Sequence, residues 1–500
     1  MKRFLLTTFF LFLTSLAIYA TNYYSDPVNG SMSNSGTSAS PWGSLSAVMA
    51  SNNVFTAGDI IFLRTGNHGF PQVNKVNTGY VEIRAQFGHV PVIERLYVGN
   101  NPAAAYWKFN GLTIQIENIA AFPISLITLY PSTSNIVIEN CTIQSIDNTS
   151  AYTRNDWRDK TNHGIQVKGS DHVIIGNTIK NVAVGLSIEA ENTLISNNEI
   201  QYFTIDGIRG LASDCIYDGN SVKDNIAVFI YAENHYDGFQ TYTCCPVGTD
   251  TLKNVILRNN LIINCTDTTR NWRGPMQGMV GFDGYFENWT IENNIIITDH
   301  WHGITLLGAI NCKIINNTVV DPYDVTPIDP FDPQSTSNSG PAWIKIAAHK
   351  NGDLSFNNTI RNNLTAVMQN DVNIGIVDFN TIIGASSNYT NHFVNYSVFD
   401  YHLLSTSNAI DAGTSILAPS TDYEGNARPN GVDYDAGAYE YQLPTNILHV
   451  SLNDKILLYP NPSTGSVVIK TSTTINSIKI KNELGQELLN KAFSDTKMEY

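Results

Sequence analysis

Five hundred residues, 42% hydrophobic and 10% aromatic, are ample for an extended apolar core. A formal net charge of −15 argues against nonspecific nucleic-acid binding, and an anionic polysaccharide would need a local basic patch to receive it. Six cysteines are too few to frame so long a chain with disulfides, and no CxxC spacing points to zinc.

Residues 1–20, MKRFLLTTFFLFLTSLAIYA, have a Lys2/Arg3 start, an apolar run and a small residue before Thr21, the pattern of a secretory signal peptide. The run is too short and wrongly flanked for a membrane anchor. No other segment qualifies, so no membrane span is expected. Next, NYYSDPVNGSMSNSGTSASPWGSLSAV (22–48) predicts a strand, a Gly/Ser/Asn loop and a short helix near residues 45–50. Its Y-x-D-P-x-N-G-S, N-S-G-T and P-W order resembles the opening segment of many secreted β-helix proteins. GDIIFLRTG (58–66), YVEIRAQFG (80–88) and YWKFNGLTI (106–114) read as first coils. A cap over the open end is expected, since a bare stack of strands invites edge pairing.

One phrase then recurs: NIVIENCTI (135–143), HVIIGNTI (172–179), NTLISNNEI (192–200), DCIYDGNSV (214–222), NVILRNNLI (254–262), NWTIENNII (288–296), NCKIINNTV (311–319) and NNTIRNNLT (357–365). Aligned, the copies put Cys141, Asn177, Asn198, Asn220, Asn260, Asn294, Asn317 and Asn363 in one column. The shortest spacings are 21, 22 and 23 residues, and longer ones read as the same unit with an insertion. Val, Ile and Leu alternate with polar residues, the period of a strand with one buried face, and the L-x-x-L-x-L pattern of leucine-rich repeats is missing. The expected fold is all-β: a single-stranded right-handed parallel β-helix, one coil per unit. Asn in the column suits the turn, because it tolerates the left-handed conformation and its amide can bond the Asn stacked above. Those asparagines are expected to be structural.

Cys215 and Cys312 each precede a ladder Asn by five residues, so they share a column about three coils apart. That is roughly 14 Å, too far to bond. Cys244 or Cys245 is a candidate partner for Cys265. Coils are expected to about Asn363. The stretch DYHLLSTSNAIDAGTS…TDYEGNARPNGVDYDAGAYEY (400–441) resembles a recurrent ending of secreted β-helix proteins, with Asp422, Arg428, Asp433 and Asp435 stapling the last coil. After a linker (442–455), LLYPNPSTGSVVIKTSTTINSIKIKNELGQELL closely resembles the type A C-terminal sorting domain of the type IX secretion system. That resemblance implies a small β-sandwich over 456–500, expected to be incomplete because the family normally continues with another strand pair.

A second recurring phrase reads HGIQV (163–167), VGLSI (184–188), DGIRG (206–210), DGFQT (237–241) and HGITL (302–306), with WIKIA (343–347) a looser copy. With the residue after Gly facing inward, its neighbours form two exposed rows. One holds His163, Val184, Asp206, Asp237 and His302. The other holds Gln166, Ser187, Arg209, Gln240, Thr305 and Lys345. Insertions beside the rows carry recognition residues: Arg154, Trp157, Arg158 and Lys160; Lys168 after the first strand; His235, Tyr236 and Tyr242; Arg270, Trp272, Arg273 and Asp283; His300 and Trp301. Trp beside Arg suits sugars, since the ring stacks on a pyranose and guanidinium pairs with a carboxylate or sulfate.

With the β-helix, residues 22–441 resemble the pectate-lyase-like superfamily of secreted polysaccharide lyases, epimerases and glycoside hydrolases. For a lyase or C5-epimerase, Arg209, Gln240 or a Ca²⁺ ion on Asp206 and Asp237 would neutralise a uronate carboxylate. His235 or His302 would be the base, and Tyr236 or Tyr242 the acid. A hydrolase would use Asp206 and Asp237, roughly 5 Å apart on adjacent coils. The N-T-D, D-D, G-H-G and R-I-K set of polygalacturonase-type hydrolases is absent, which favours lyase or epimerase. A non-catalytic carbohydrate-binding or adhesive solenoid is the third reading. The expected partners are a polysaccharide and the type IX machinery, with neither nucleic acid nor oligomerisation, outside the cell or on its surface.

Overall fold

The computed structural model describes residues 20–117, 123–228, 235–243, 250–264, 266–267, 269, 271–322 and 341–442, together with four backbone strands beyond them. Almost all of residues 1–20, Cys244, Cys245, Cys265, Arg270 and nearly all of the expected linker lie outside the described residues. The chain divides into two compact units at Tyr441/Gln442.

Successive coils of the first unit stack in parallel register, and each contributes strands to three faces. The first sheet has thirteen strands, from Asn22–Ser25 through Val173–Ile175 and Leu194–Ser196 to Gly375–Asp378. The second and third sheets are two limbs of one twenty-one-stranded hydrogen-bonded sheet, and the second limb runs through short strands such as Thr142–Gln144, Ser221–Lys223, Leu261–Ile263 and Ile295–Ile297. The third holds Ser125–Leu129, His163–Val167, Tyr236–Tyr242, Met276–Asp283, His302–Leu307 and Trp343–Ala347. Two long strands, Thr178–Ile188 and Glu199–Gly210, bend from the second sheet into the third.

The asparagine column forms the expected ladder. Asn198 Oδ1 accepts from the Asn177 backbone N–H (3.1 Å) and Nδ2 (2.9 Å), while Asn198 Nδ2 donates to Ile174 O (2.8 Å) and Asn220 Oδ1 (2.9 Å). The pattern runs from the Cys141 N–H to Asn380, one coil beyond the expected end. The turn conformation falls elsewhere than expected. The left-handed residue is the one before each ladder Asn: Asn140, Asn197, Asn259, Asn293, Asn316 and Asn362 have φ of 53–56°, with Gly176 and Gly219 in the same place. Turn geometry and amide ladder are therefore divided between two adjacent columns.

A second column is glycine by necessity. A Cβ on Gly185 would lie 2.4 Å from Gly207 O and 2.6 Å from an Ile200 methyl. A Cβ on Gly238 would lie 2.3 Å from an Ile262 methyl. Second-sheet aliphatic side chains thus pack directly on the third-sheet backbone, which is the origin of the recurring x-G-apolar phrase.

The N-terminal helix, Leu45–Ala50, is capped by Ser44 Oγ accepting from the Ala47 N–H and buries Leu45, Val48 and Met49 in the main core. The closing segment does more than staple one coil. Arg428 and Glu440, side chains 0% and 1% exposed, pair at 2.7 Å, and Arg428 also donates to Gly437 O, Ala438 O and Asn293 Oδ1. Asn293 and Asn316 donate to Thr421 O and Asp435 O from earlier coils. The segment therefore lies along the outer face of the second sheet, over Ile263, Ile295, Ile297 and Val320. Asp422 and Asp435 accept backbone N–H groups as expected of staples, whereas Asp433 is exposed and accepts only from the adjacent Tyr434 N–H.

Cys141, Cys215 and Cys312 are free and buried. Among the described residues no helix is long and apolar enough to cross a membrane, which says nothing of β-strand spans. In the second unit, Leu457–Tyr459 pairs antiparallel with Val468–Lys470, and Ser477–Lys481 with Glu487–Ala492.

Candidate functional site

The expected rows stack in the third sheet with one coil inserted. Asp206 pairs with Asp237 and Arg209 with Gln240, followed by Gln277 and Val280, and then by Thr305 and Lys345. Sequence reading passed over Gln277 and Val280, although Met276-Gln277-Gly278-Met279-Val280 carries the same glycine and would have revealed them.

The middle of one row is not exposed. Asp206 and Asp237 are 1% and 0% exposed, beneath partners that face outward. Asp206 Oδ2 accepts from Arg209 Nε at 2.5 Å, and Arg209 keeps a quarter of its side chain open. Asp237 Oδ2 lies 2.9 Å from His235 Nδ1, with the His235 side chain 41% exposed. Burial, aided by the negative charge on Asp237, holds the Asp206 carboxyl well above the usual carboxylate range against the pull of Arg209. The hydrogen bond to Asp237 raises the His235 imidazole above its ordinary value against burial.

The other histidines differ. Burial depresses His302 to about 4, His163 to about 4 and His300 to about 3. His302 Nδ1 and Trp343 Nε1 both meet Thr305 Oγ1 at 3.0 Å, and the His302 ring stacks on His300 at 5.1 Å. Trp301 stacks on Trp343 at 6.0 Å, and Lys345 Nζ sits 5.1 Å from the Trp343 ring centre. The charge of His235 is felt at His300 and His302, that of Lys345 at His302, and Tyr242 is within electrostatic reach of Arg209. His235, Arg209, Tyr242, His302 and Lys345 thus share one surface.

Other expected site residues lie elsewhere or face inward. Tyr236 and His300 are each 1% exposed, too buried to meet a sugar directly. Trp157 is 5% exposed, in a small core with Tyr152, Ile226 and Val228, against which Trp272 packs. It is a structural anchor and not a stacking platform of the third sheet. Arg154 Nε donates to Val228 O, Arg158 pairs with its neighbour Asp159, and Lys168 pairs with Glu189. Arg273 is partly buried.

Asp206 and Asp237, the carboxylates expected to be open to a cation, engage Arg209 and His235. Among the described residues no group of three or more His, Cys, Asp or Glu is arranged to hold a metal ion.

Residues 163–329 match the family described as "Right handed beta helix region", and residues 457–500 match "Secretion system C-terminal sorting domain". The chain is a right-handed β-helix protein with a C-terminal sorting domain. That domain marks the β-helix protein for export by the type IX system to the cell surface or beyond. Among solved structures, pectate lyase Pel9A is 17% identical, with 85% of this chain and 98% of that chain covered and a TM-score of 0.47. A rhamnogalacturonan lyase is 13% identical, with coverages of 75% and 91% and a TM-score of 0.44. XylC, solved in complex with xylose, is 10% identical, with coverages of 84% and 99% and a TM-score of 0.44. A comparison with curated protein sequences returned no match.

Proposed function

We propose that the β-helix protein is a polysaccharide lyase acting on a uronate-containing polymer, with C5-epimerisation as the variant that shares its first step. One observation carries this reading: a half-exposed histidine, His235, is held through Nδ1 by a fully buried aspartate, beside an arginine whose guanidinium is fixed by a second buried aspartate. A hydrogen bond at Nδ1 leaves Nε2 as the free basic atom, and the raised affinity for protons makes His235 a stronger base than the depressed His302.

In this mechanism Arg209 pairs with the uronate carboxylate and stabilises the charge that develops when C5 loses its proton to His235 Nε2. The C5–H electron pair then forms the C4=C5 bond, the C4–O bond breaks, and His235 Nε2 returns the proton it took from C5 to the departing oxygen. Gln240, one coil above Arg209 in the same row, is available to the same carboxylate. The hydrolase reading is less well supported. Its two carboxylates must face the glycosidic bond, whereas Asp206 and Asp237 lie buried and already engaged.

Turnover on alginate, pectate, glycosaminoglycans and neutral glycans tests the proposal, following reducing ends and the ultraviolet absorbance of unsaturated uronate. Reducing ends with new absorbance are expected. Deuterium uptake at C5 without new ends would identify the epimerase, and reducing ends alone would overturn both in favour of hydrolysis. Silence in every assay would leave a binding protein.

A further inference from the structure

At the bend between the second and third sheets, successive coils put one residue in the left-handed conformation: Asn181 (φ 55°), Tyr202 (φ 59°) and Asp224 (φ 55°). Asn and Asp adopt it at little cost, whereas a bulky side chain there is strained by roughly 1–3 kcal/mol. Trp272, on the neighbouring insertion, is left-handed as well (φ 53°). Both strained aromatics line one groove of about 570 Å³, within the roughly 300–1,000 Å³ of small-molecule sites. Its apolar wall is the Tyr152–Trp157 pair, on which Tyr202 and Trp272 pack while remaining partly open.

Among the described residues, the polar lining is largely engaged within the protein. Asn181 is 3% exposed and lines the groove, its Nδ2 donates to Ile146 O, and its Oδ1 has no partner. The charges disfavour an anion. Lys180, the only cation among the described lining residues, is taken by Asp147 at 3.0 Å, and Asp267 accepts from Tyr202 Oη at 2.9 Å. The third-sheet surface instead presents Arg209, His235 and Lys345.

We propose that this groove is a second carbohydrate site, which binds an uncharged pyranose unit by stacking on Trp272 and Tyr202. Tyr202 precedes Asp206 by four residues on one bent strand, so the groove lies within roughly 13 Å along the strand of the aspartate that holds Arg209. A polymer crossing the third sheet from coil to coil runs beside the groove and not through it. The site holds a neutral glycan chain or branch. It does not depend on the lyase reading, and binding alone tests it.

The test is titration of the full chain with neutral tetrasaccharides (xylo-, gluco-, manno- and galacto-configured) and a tetrauronate, followed by calorimetry and tryptophan fluorescence. Trp272→Asn and Tyr202→Asn are the variants, since Asn fits the left-handed backbone. Thermal midpoints confirm that each is folded. At least one neutral tetrasaccharide is expected to bind and shift tryptophan emission, with tenfold or greater weakening in both variants and no change for the tetrauronate. The proposal is overturned if no neutral tetrasaccharide binds, if binding survives both substitutions, or if the tetrauronate loses affinity in parallel.

Discussion

His235 and Asp237 show how two residues acquire a role that neither carries alone. Separated by one position, they are read easily as a pair, and the strand places the carboxyl under the sheet surface and the ring above it. Asp237 is then a positioning residue. It orients the imidazole and favours its protonated form, so the base becomes active only as pH rises through the raised His235 value. Asp237→Asn removes the anion, lowers the His235 value, and is expected to move the acidic limb of the kcat/KM profile to lower pH while reducing its plateau about a hundredfold. A purely structural role would lower the thermal midpoint and leave the limb in place. Burial of Asp237 was not legible, because its sheet neighbours, Asp206 and Gln277, lie 31 and 40 residues away in sequence.

At the scale of the coil, adjacent asparagines have opposite sensitivities. Asn260 accepts from the Asn220 backbone and side-chain amides and donates to Tyr217 O and Asn294 Oδ1, all inside the protein. Asn260→Ala strands several buried groups at about 1–3 kcal/mol each, so a loss of about 3 kcal/mol or more is expected in urea denaturation. Asn259, at φ 55° beside it, provides the turn, and Asn259→Gly is expected to cost under about 1 kcal/mol. The repeated Asn-Asn and Gly-Asn pairs were visible in sequence. Their division of labour was not, because backbone conformation and amide direction are coupled only through the stacked coil. Trp157 marks the other limit of local reading. Its setting among charged residues suggested a sugar platform, whereas the capped helix Arg154–Lys160 turns the ring onto Tyr152, Ile226 and Val228.

Across the whole molecule, the closing segment folds around one buried ion pair, from which Arg428 reaches Asn293 of an earlier coil. Removing one partner of such a pair leaves an uncompensated charge, so Arg428→Ala is expected to lower the unfolding free energy by about 3–5 kcal/mol. Arg428→Met with Glu440→Met should recover much of that loss, since neither charge then remains buried. The comparison is made by denaturant midpoint at neutral pH.

By itself the sequence determined the architecture and the address. A polar/apolar alternation with a stacked asparagine specifies a coil that can bury its face only against a copy of itself, and the L-Y-P-N-P-S-T-G phrase is locally complete. Tertiary structure alone decided which polar residues are reachable. Burial, proton affinity and partner choice depend on neighbours one coil away, separated by insertions of unequal length. That is why Asp206 and Asp237 lie beneath the surface that His235 and Arg209 present, and why Trp272 faces a different groove.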